Sequence, residues 1–335
     1  MGELVTLNHG SGGKQAHELI TNMFAKKFGM PEPMTDSAVL SEQGFTLAFT
    51  TDSYVVDPLF FPGGNIGKLA VCGTINDLSV SGAVPKYISA SFIIEEGFPL
   101  KDLEIISDSM AEEADRAGVK IVTGDTKVVG KGKCDKVFIT TAGTGFLKPE
   151  FEHISTGKKI MPGDKLIVNG SLGNHAIAVL GARNNLSFSS SIISDCASLN
   201  HLIQGVLKQC EHVHFMRDLT RGGLAAILYE LVQMTLSGLI VDEASIPVDD
   251  PVVGLCEVLG FDPFYLANEG KILIVAGEDE HEKILEILRS HPLGEKSAII
   301  GEVTTEHKGD IILNTFIGGK RILDIPSGTQ LPRIC

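Results

Sequence analysis

The sequence predicts an α+β fold in two domains followed by a short tail, and three observations carry that reading. Strand-like and helix-like segments are mixed, with several neighbouring strand pairs where a doubly wound parallel sheet would alternate strictly. The 335 residues suit about two domains. Between Pro149 and Gly163 the periodic pattern breaks into charged and turn-forming residues, including Lys158-Lys159 and Met161-Pro162-Gly163-Asp164, which places a boundary there. The expected organisation is a glycine-rich segment and helix over 1–34, an N-terminal domain over 35–150, a C-terminal domain over 151–325 and a mobile tail over 326–335.

The elements follow in order. A helical stretch runs from His17 to Phe28. Residues 45–56, rich in Phe, Thr, Val and Tyr, read as a strand, and a Gly-Pro loop follows at 61–64. Residues 66–81 carry Ile66, Leu69, Ala70, Gly73, Asp77 and Val80 at helical spacing, with Gly82 placed to end the helix. After a strand over 87–94, Pro99 opens an amphipathic helix with Leu103, Ile106, Met110 and Ala114 on one face, stopped at Gly118. Strands at 119–129 and 137–144 flank a lysine-rich turn. The second half restarts with a strand at 165–169, helices from about 174, at 198–209 and at 222–235, and a strand at 238–241. It closes with a helix at 251–259, a strand at 271–276, a helix at 279–290 and strands near 297–303, 310–314 and 321–324.

Composition narrows the function class. Hydrophobic content of 43% and charged content of 21% describe an ordinary globular protein. A net charge of −14 argues against a nucleic-acid or acidic-membrane surface. No basic stretch precedes an apolar core at the N-terminus, and no apolar run approaches the roughly 18 residues of a membrane span. The cysteines at 72, 134, 196, 210, 256 and 335 are far apart, without a Cys-x-x-Cys pair. That usage fits a reducing, cytoplasmic setting.

Chemistry-bearing residues cluster in a few segments. The chain ends Leu331-Pro332-Arg333-Ile334-Cys335, and ten residues from Pro326 span up to roughly 33 Å when extended. The terminal thiol is either decoration on a frayed end or a swinging nucleophile. Asp52 interrupts an apolar strand, Asp77 lies inside an apolar helix and Asp125 follows Gly124. An ionised carboxylate in such surroundings calls for a partner or a cation, and converging carboxylates suit Mg²⁺. Spacing alone serves equally for three separate turn or cap residues. His9-Gly10-Ser11-Gly12-Gly13-Lys14 reads equally as a phosphate-cradling loop or a flexible linker, and is not a P-loop. Lys127 is placed to face a phosphate or an oxyanion, whereas Lys131, Lys133 and Lys136 read as a solvated hairpin. Asn169 to His175 links a strand to a helix start, where His175 is an anion contact or a packed cap. Met216 to Gly223 gathers Arg217, Asp218 and Arg221, as an anion site or a salt-bridged cap. Glu269, at a strand mouth, serves as a general base or caps a turn.

Taken together, HGSGG at 9–13, the block from Thr50 to Ala83, GDTKVV at 124–129, MRDLTRGGLA at 216–225, ANEG at 267–270 and PRIC at 332–335 resemble one family. It is the AIR-synthase-like ATP-dependent superfamily and, within it, the HypE hydrogenase maturation factors, the carbamoyl dehydratases. The resemblance runs nearly end to end, and the long block and PRIC ending are its specific parts. It implies a two-domain AIR synthase-like fold, with an ATP-binding N-terminal domain, and ATP-dependent dehydration of a carbamoyl group on Cys335 to a thiocyanate. That product supplies cyanide to the iron of a nickel–iron hydrogenase. The resemblance further implies Mg²⁺ on Asp52, Asp77 and Asp125, and nucleotide contacts from Gly12, Gly13, Lys14, Asn65, Lys68, Asn76 and Thr126. Lys127 and Glu269 match positions that assist at the modified cysteine; Lys14 stands where arginine is frequent. A homodimer is implied, with HypF as carbamoyl donor and a HypC–HypD complex as cyanide acceptor. Selenophosphate synthetase fits poorly, because its reactive Cys belongs in the glycine loop and none occurs in residues 1–30. A same-fold small-molecule kinase would leave the tail inert, and a non-enzymatic carrier of Cys335 would consume no ATP.

Overall fold

The computed structural model describes residues 4–30, 33–42, 44–184, 192–325, 331 and 333–335. After α1 (Lys14–Leu19), a π-helical turn and α2 (Lys26–Phe28), the first half builds β1 (Ala38–Glu42), β2 (Phe45–Tyr54), the short pair β3 (Phe60–Phe61) and β4 (Gly64–Asn65), and α3 (Ile66–Val80). It continues with β5 (Val84–Glu95), α4 (Leu100–Ala117), β6 (Lys120–Val129) and β7 (Val137–Phe146). Five strands form a sheet in the order β1-β2-β7-β5-β6. Only β5 and β6 pair in parallel, because α4 carries the chain back between them.

Helix α3 is buried nearly all round, and α4 turns Ile106, Met110 and Ala114 inward, as the sequence spacing predicts. Pro99 caps α4 from outside, and Gly118 ends it at φ +70°. The edge strand β6 is exposed along almost its whole length.

The second half builds β8 (Lys165–Val168), α5 (Asn174–Arg183), α6 (Asn200–Leu207), β9 (Val213–Asp218), α7 (Gly223–Thr235), β10 (Gly238–Asp242) and α8 (Asp250–Leu259). Then come β11 (Ile272–Ala276), α9 (His281–Arg289), β12 (Ala298–Thr304), β13 (Ile311–Asn314) and β14 (Lys320–Ile322). Seven strands form a mixed sheet ordered β14-β13-β10-β12-β8-β11-β9. Phe215, Leu224, Leu228 and Leu231 fill one face under α7, while Ile203, Leu207, Ile284 and Leu288 of α6 and α9 fill the other.

Four strands depart from the sequence reading: β1, β9 and the short pair β3 and β4 within the expected Gly-Pro loop. Residues Met216 to Asp218, expected as an anion site or a salt-bridged cap, complete the buried strand β9, whose Arg217 and Asp218 disguise it as surface. The short β1 has no period long enough to read. The halves are joined where α5 (Ala176, Ile177, Val179) and Ile334 of the tail enter the core formed by Tyr54, Leu59 and Ile66.

Candidate functional site

A cavity of about 760 Å³ opens between the halves, with Asp36, Asp52, Asp77, Asp218, Glu269 and Cys335 among its walls. Each arrives on a different element. Asp52 rides β2, Asp77 the inner face of α3 and Asp218 the end of β9; Asp36 precedes β1, and Glu269 the strand β11.

Carboxylate oxygens of Asp36, Asp77 and Asp218 lie within 4.8 Å of one another. Thr50 Oγ1 donates to Asp77 Oδ2 at 2.7 Å, and Tyr54 Oη donates to Asp52 Oδ2 at 3.3 Å. Burial, followed by the neighbouring acids, holds Asp77 and Asp218 well above the usual carboxylate range. Asp36 is also raised by burial, against the pull of Arg217, whose Nη1 lies 2.8 Å from it. Such a set of like charges is costly without a cation, and an all-oxygen donor set suits a hard divalent ion such as Mg²⁺. Arg217 is only 5% exposed, and its Nε and Nη2 have no hydrogen-bond partner among the described residues. Both nitrogens are buried, and the guanidinium charge is balanced by Asp36 and, at 3.8 Å, by Glu230.

Glu269 is 2% exposed, and its Oε1 has no hydrogen-bond partner among the described residues. Its carboxyl is held well above the usual range by burial first, then by Asp218, Asp195 and Asp52. Cys335 enters the same cavity. The Val55 and Asp57 amides donate to the carbonyls of Cys335 (3.3 Å) and Arg333 (3.2 Å), so the tail is tied alongside residues 55–57, with Arg333 turned at φ +55°. Arg333 Nε donates back to Val55 O at 2.9 Å, Arg333 also pairs with Asp135, and Arg183 Nη2 holds Arg333 O at 2.7 Å. Ile334 is buried, and His175 Nε2 meets its carbonyl at 2.9 Å. Burial pushes the Cys335 thiol up to about 12, with Glu269 adding and Arg221 opposing. Residues 326–330 and 332 of the expected tail lie outside the described residues.

The glycine loop closes the cavity's outer side. Gly12, at φ +76°, packs so tightly that an added Cβ would stand 2.9 Å from Arg221 O, and Arg221 Nη1 donates to Gly10 O at 3.4 Å. Gly13 caps α1, and the exposed Lys14 does not line the cavity. Asn65 caps α3 by accepting from the Gly67 and Lys68 amides, and Lys68 Nζ bonds Gly63 O at 3.0 Å. Neither lines the cavity. Asn76 is a tie, donating to Ala197 O at 3.1 Å and to Glu269 O at 3.3 Å.

Asp125, Thr126 and Lys127 depart most from expectation. They lie on the exposed edge strand β6, outside the cavity, where Asp125 pairs with Lys127 at 2.7 Å. The expected trio Asp52, Asp77 and Asp125 is therefore not assembled within one chain; Asp36 and Asp218 gather around Asp77 instead. Asp36 was missed, although Thr35-Asp36-Ser37 repeats the Thr51-Asp52-Ser53 signature.

Comparison with known proteins places these features. Residues 34–147 match the AIR synthase related protein N-terminal domain, and residues 161–314 match its C-terminal domain. Two mixed layers with an acidic cavity between them thus define an AIR synthase-related protein. The carbamoyl dehydratase HypE of Rhodobacter capsulatus is 49% identical over 338 residues, covering 99% of this chain and 98% of that protein. A crystal structure of hydrogenase maturation protein HypE in complex with ATP superposes with a TM-score of 0.83 at 43% identity, covering 99% of this chain and 100% of that one. A HypE–HypF complex gives 0.85 at 47% identity, covering 92% and 99%. The chain belongs to the carbamoyl dehydratase HypE family.

Proposed function

We propose that this chain dehydrates its own S-carbamoylated Cys335 to a thiocyanate at the expense of ATP, and so supplies cyanide for the iron of a nickel–iron hydrogenase. The observation that carries this reading is that the terminal thiol docks in the same cavity as the clustered aspartates and Glu269. A same-fold kinase has no use for that contact.

The residues present fit a nucleotide-bound Mg²⁺, held by Asp36, Asp77 and Asp218 with Asp52 beside them. When bound, the ion spreads the charge of the phosphates. The carbamoyl oxygen of S–C(=O)–NH₂ attacks the terminal phosphorus of ATP, and ADP leaves. Arg217, which lines the cavity, supplies positive charge beside the transferred phosphoryl group. Glu269 accepts one nitrogen-bound proton as the oxygen is phosphorylated, passes it to solvent, and accepts the second as the C–O bond breaks, leaving S–C≡N and phosphate. A carboxyl whose acid form is favoured is the stronger base once ionised. The tethered substrate replaces a bimolecular encounter.

The tail must also leave the cavity, to receive the carbamoyl group from HypF and to pass cyanide to a HypC–HypD complex. Exposed Tyr87, Ile93, Ile121, Val122 and Val128 on β5 and β6 favour a homodimer along this edge. In that arrangement Asp125, Thr126 and Lys127 serve the site of the other copy, which retains their metal, nucleotide and phosphate roles. No helix among the described residues is long and apolar enough to cross a membrane, and the separate free cysteines agree with the cytoplasm as its place of work. Phosphate release in a single turnover tests the reading: one phosphate per carbamoyl group supports it, and carbamoyl groups surviving with excess ATP refute it.

A further inference from the structure

The segment 192–198 carries no residue with an assigned role, yet it touches both halves of the chemistry. Ser194 is buried, and its Oγ lies 2.8 Å from His175 Nδ1. The other ring nitrogen meets the Ile334 carbonyl, which only accepts, so Nε2 carries the proton and Nδ1 accepts from the Ser194 hydroxyl. Ser194 Oγ in turn accepts from the Cys196 amide at 3.1 Å. A directed chain thus runs from Cys196 through Ser194 and His175 to the residue before the reactive thiol.

The next residue does the same for the acid. Asp195 accepts from the amides of Glu269 and Gly270, both at 3.2 Å, and pairs with the partly buried Lys271 at 3.1 Å. An added Cβ on Gly270 would stand 2.0 Å from Asp195 O, so the two segments are in backbone contact. Ala197 O accepts from Asn76, the neighbour of Asp77, at 3.1 Å.

We infer that Ser194 and Asp195 are positioning residues that fix the offset between the tail and Glu269: Ser194 anchors the tail through His175, and Asp195 sets the turn that carries the acid. The inference rests on the dehydratase reading for its kinetic part, but the anchor itself is testable without any turnover.

The test uses the full-length protein. Iodoacetamide alkylation of Cys335, followed by mass spectrometry of the C-terminal peptide, reads docking. Single-turnover dehydration and ATP affinity are measured beside it. Ser194→Ala is expected to raise alkylation about tenfold, the effect of losing one buried hydrogen bond, and to slow dehydration with ATP affinity unchanged. Ser194→Thr should restore both. Asp195→Asn should leave alkylation at the parent rate but move the acid limb of dehydration to lower pH, because the Asp195 charge helps hold Glu269 high. Parent-like alkylation of Ser194→Ala, a parallel loss of ATP affinity, or an unmoved acid limb in Asp195→Asn overturns the inference. Should the parent never dehydrate, the functional reading fails, while the alkylation comparison still decides the anchor.

Discussion

His175 donates its Nε2–H to the carbonyl of Ile334 at 2.9 Å, so helix α5 grips the chain one residue before its reactive end. Together with Arg183 on Arg333 O, the grip falls on backbone atoms of the tail. Position is therefore read rather than the chemistry of residue 335, and a free, carbamoylated or cyanated sulfur can occupy the same place. Each of these hydrogen bonds contributes about 0.5–1.5 kcal/mol net against the entropy of ordering the tail, which keeps docking reversible.

Replacing the sulfur separates the tail from the nucleotide site. Cys335→Ala should bind ATP with parent affinity and yield no thiocyanate. Cyanation detected on that variant by mass spectrometry would break the assignment.

The aspartate cluster makes a prediction of two signs. Asp77→Asn should weaken Mg²⁺-dependent ATP binding by at least about tenfold, the usual cost of a damaged metal site. It should also stabilise the metal-free protein near neutral pH, because a carboxyl whose pKa is raised by burial and by the neighbouring acids destabilises the fold. Isothermal titration and thermal melts with and without Mg²⁺ check the two parts.

The placing of Asp125 predicts complementation. Asp77→Asn and Asp125→Asn homodimers should each bind Mg–ATP poorly, and mixing them should create one intact site per mixed dimer. Recovery of about a quarter of the parent binding stoichiometry would follow on full subunit exchange of an equal mixture, because half the dimers are mixed and each holds one intact site of two; no recovery would confine Asp125 to its own chain or to no site.

Glu269→Gln should accept the carbamoyl group but dehydrate it about 10²–10⁴-fold more slowly. In the parent, Glu269 acts only when ionised, and its pKa is raised. The rate should therefore rise with pH through a limb above the ordinary glutamate range, and that limb should vanish in Glu269→Gln.

Docking itself should respond to alkali. The docked thiol sits at about 12 against an ordinary 9.0, so docking is fully favoured below pH 9 and weakens as pH rises from there toward 12. Protection of the Val55 and Asp57 amides from hydrogen exchange, corrected for its intrinsic pH dependence, should fall across that window. Cys335→Ser should keep its protection.

Much of the site was legible because its residues break a pattern. Asp77 stands out in an apolar helix, and the Cys335 ending has no structural excuse. Arg217, Asp218 and Glu269 were legible as residues, but not the strand β9, whose buried charges imitate a loop. Asp125 and Lys127 read as site residues along the chain, yet an edge strand turns them outward, which no local period reveals. Ser194 and Asp195 were invisible, since their role depends on contacts with residues far away in sequence.

The central claim is that the terminal cysteine is carbamoylated and then dehydrated in place. Intact mass of the C-terminal peptide, after incubation with HypF, carbamoyl phosphate and ATP, tests it directly. The account predicts the gain of one carbamoyl group on Cys335, followed by ATP-dependent loss of one water. ATP consumption with no loss of water from that peptide would contradict it.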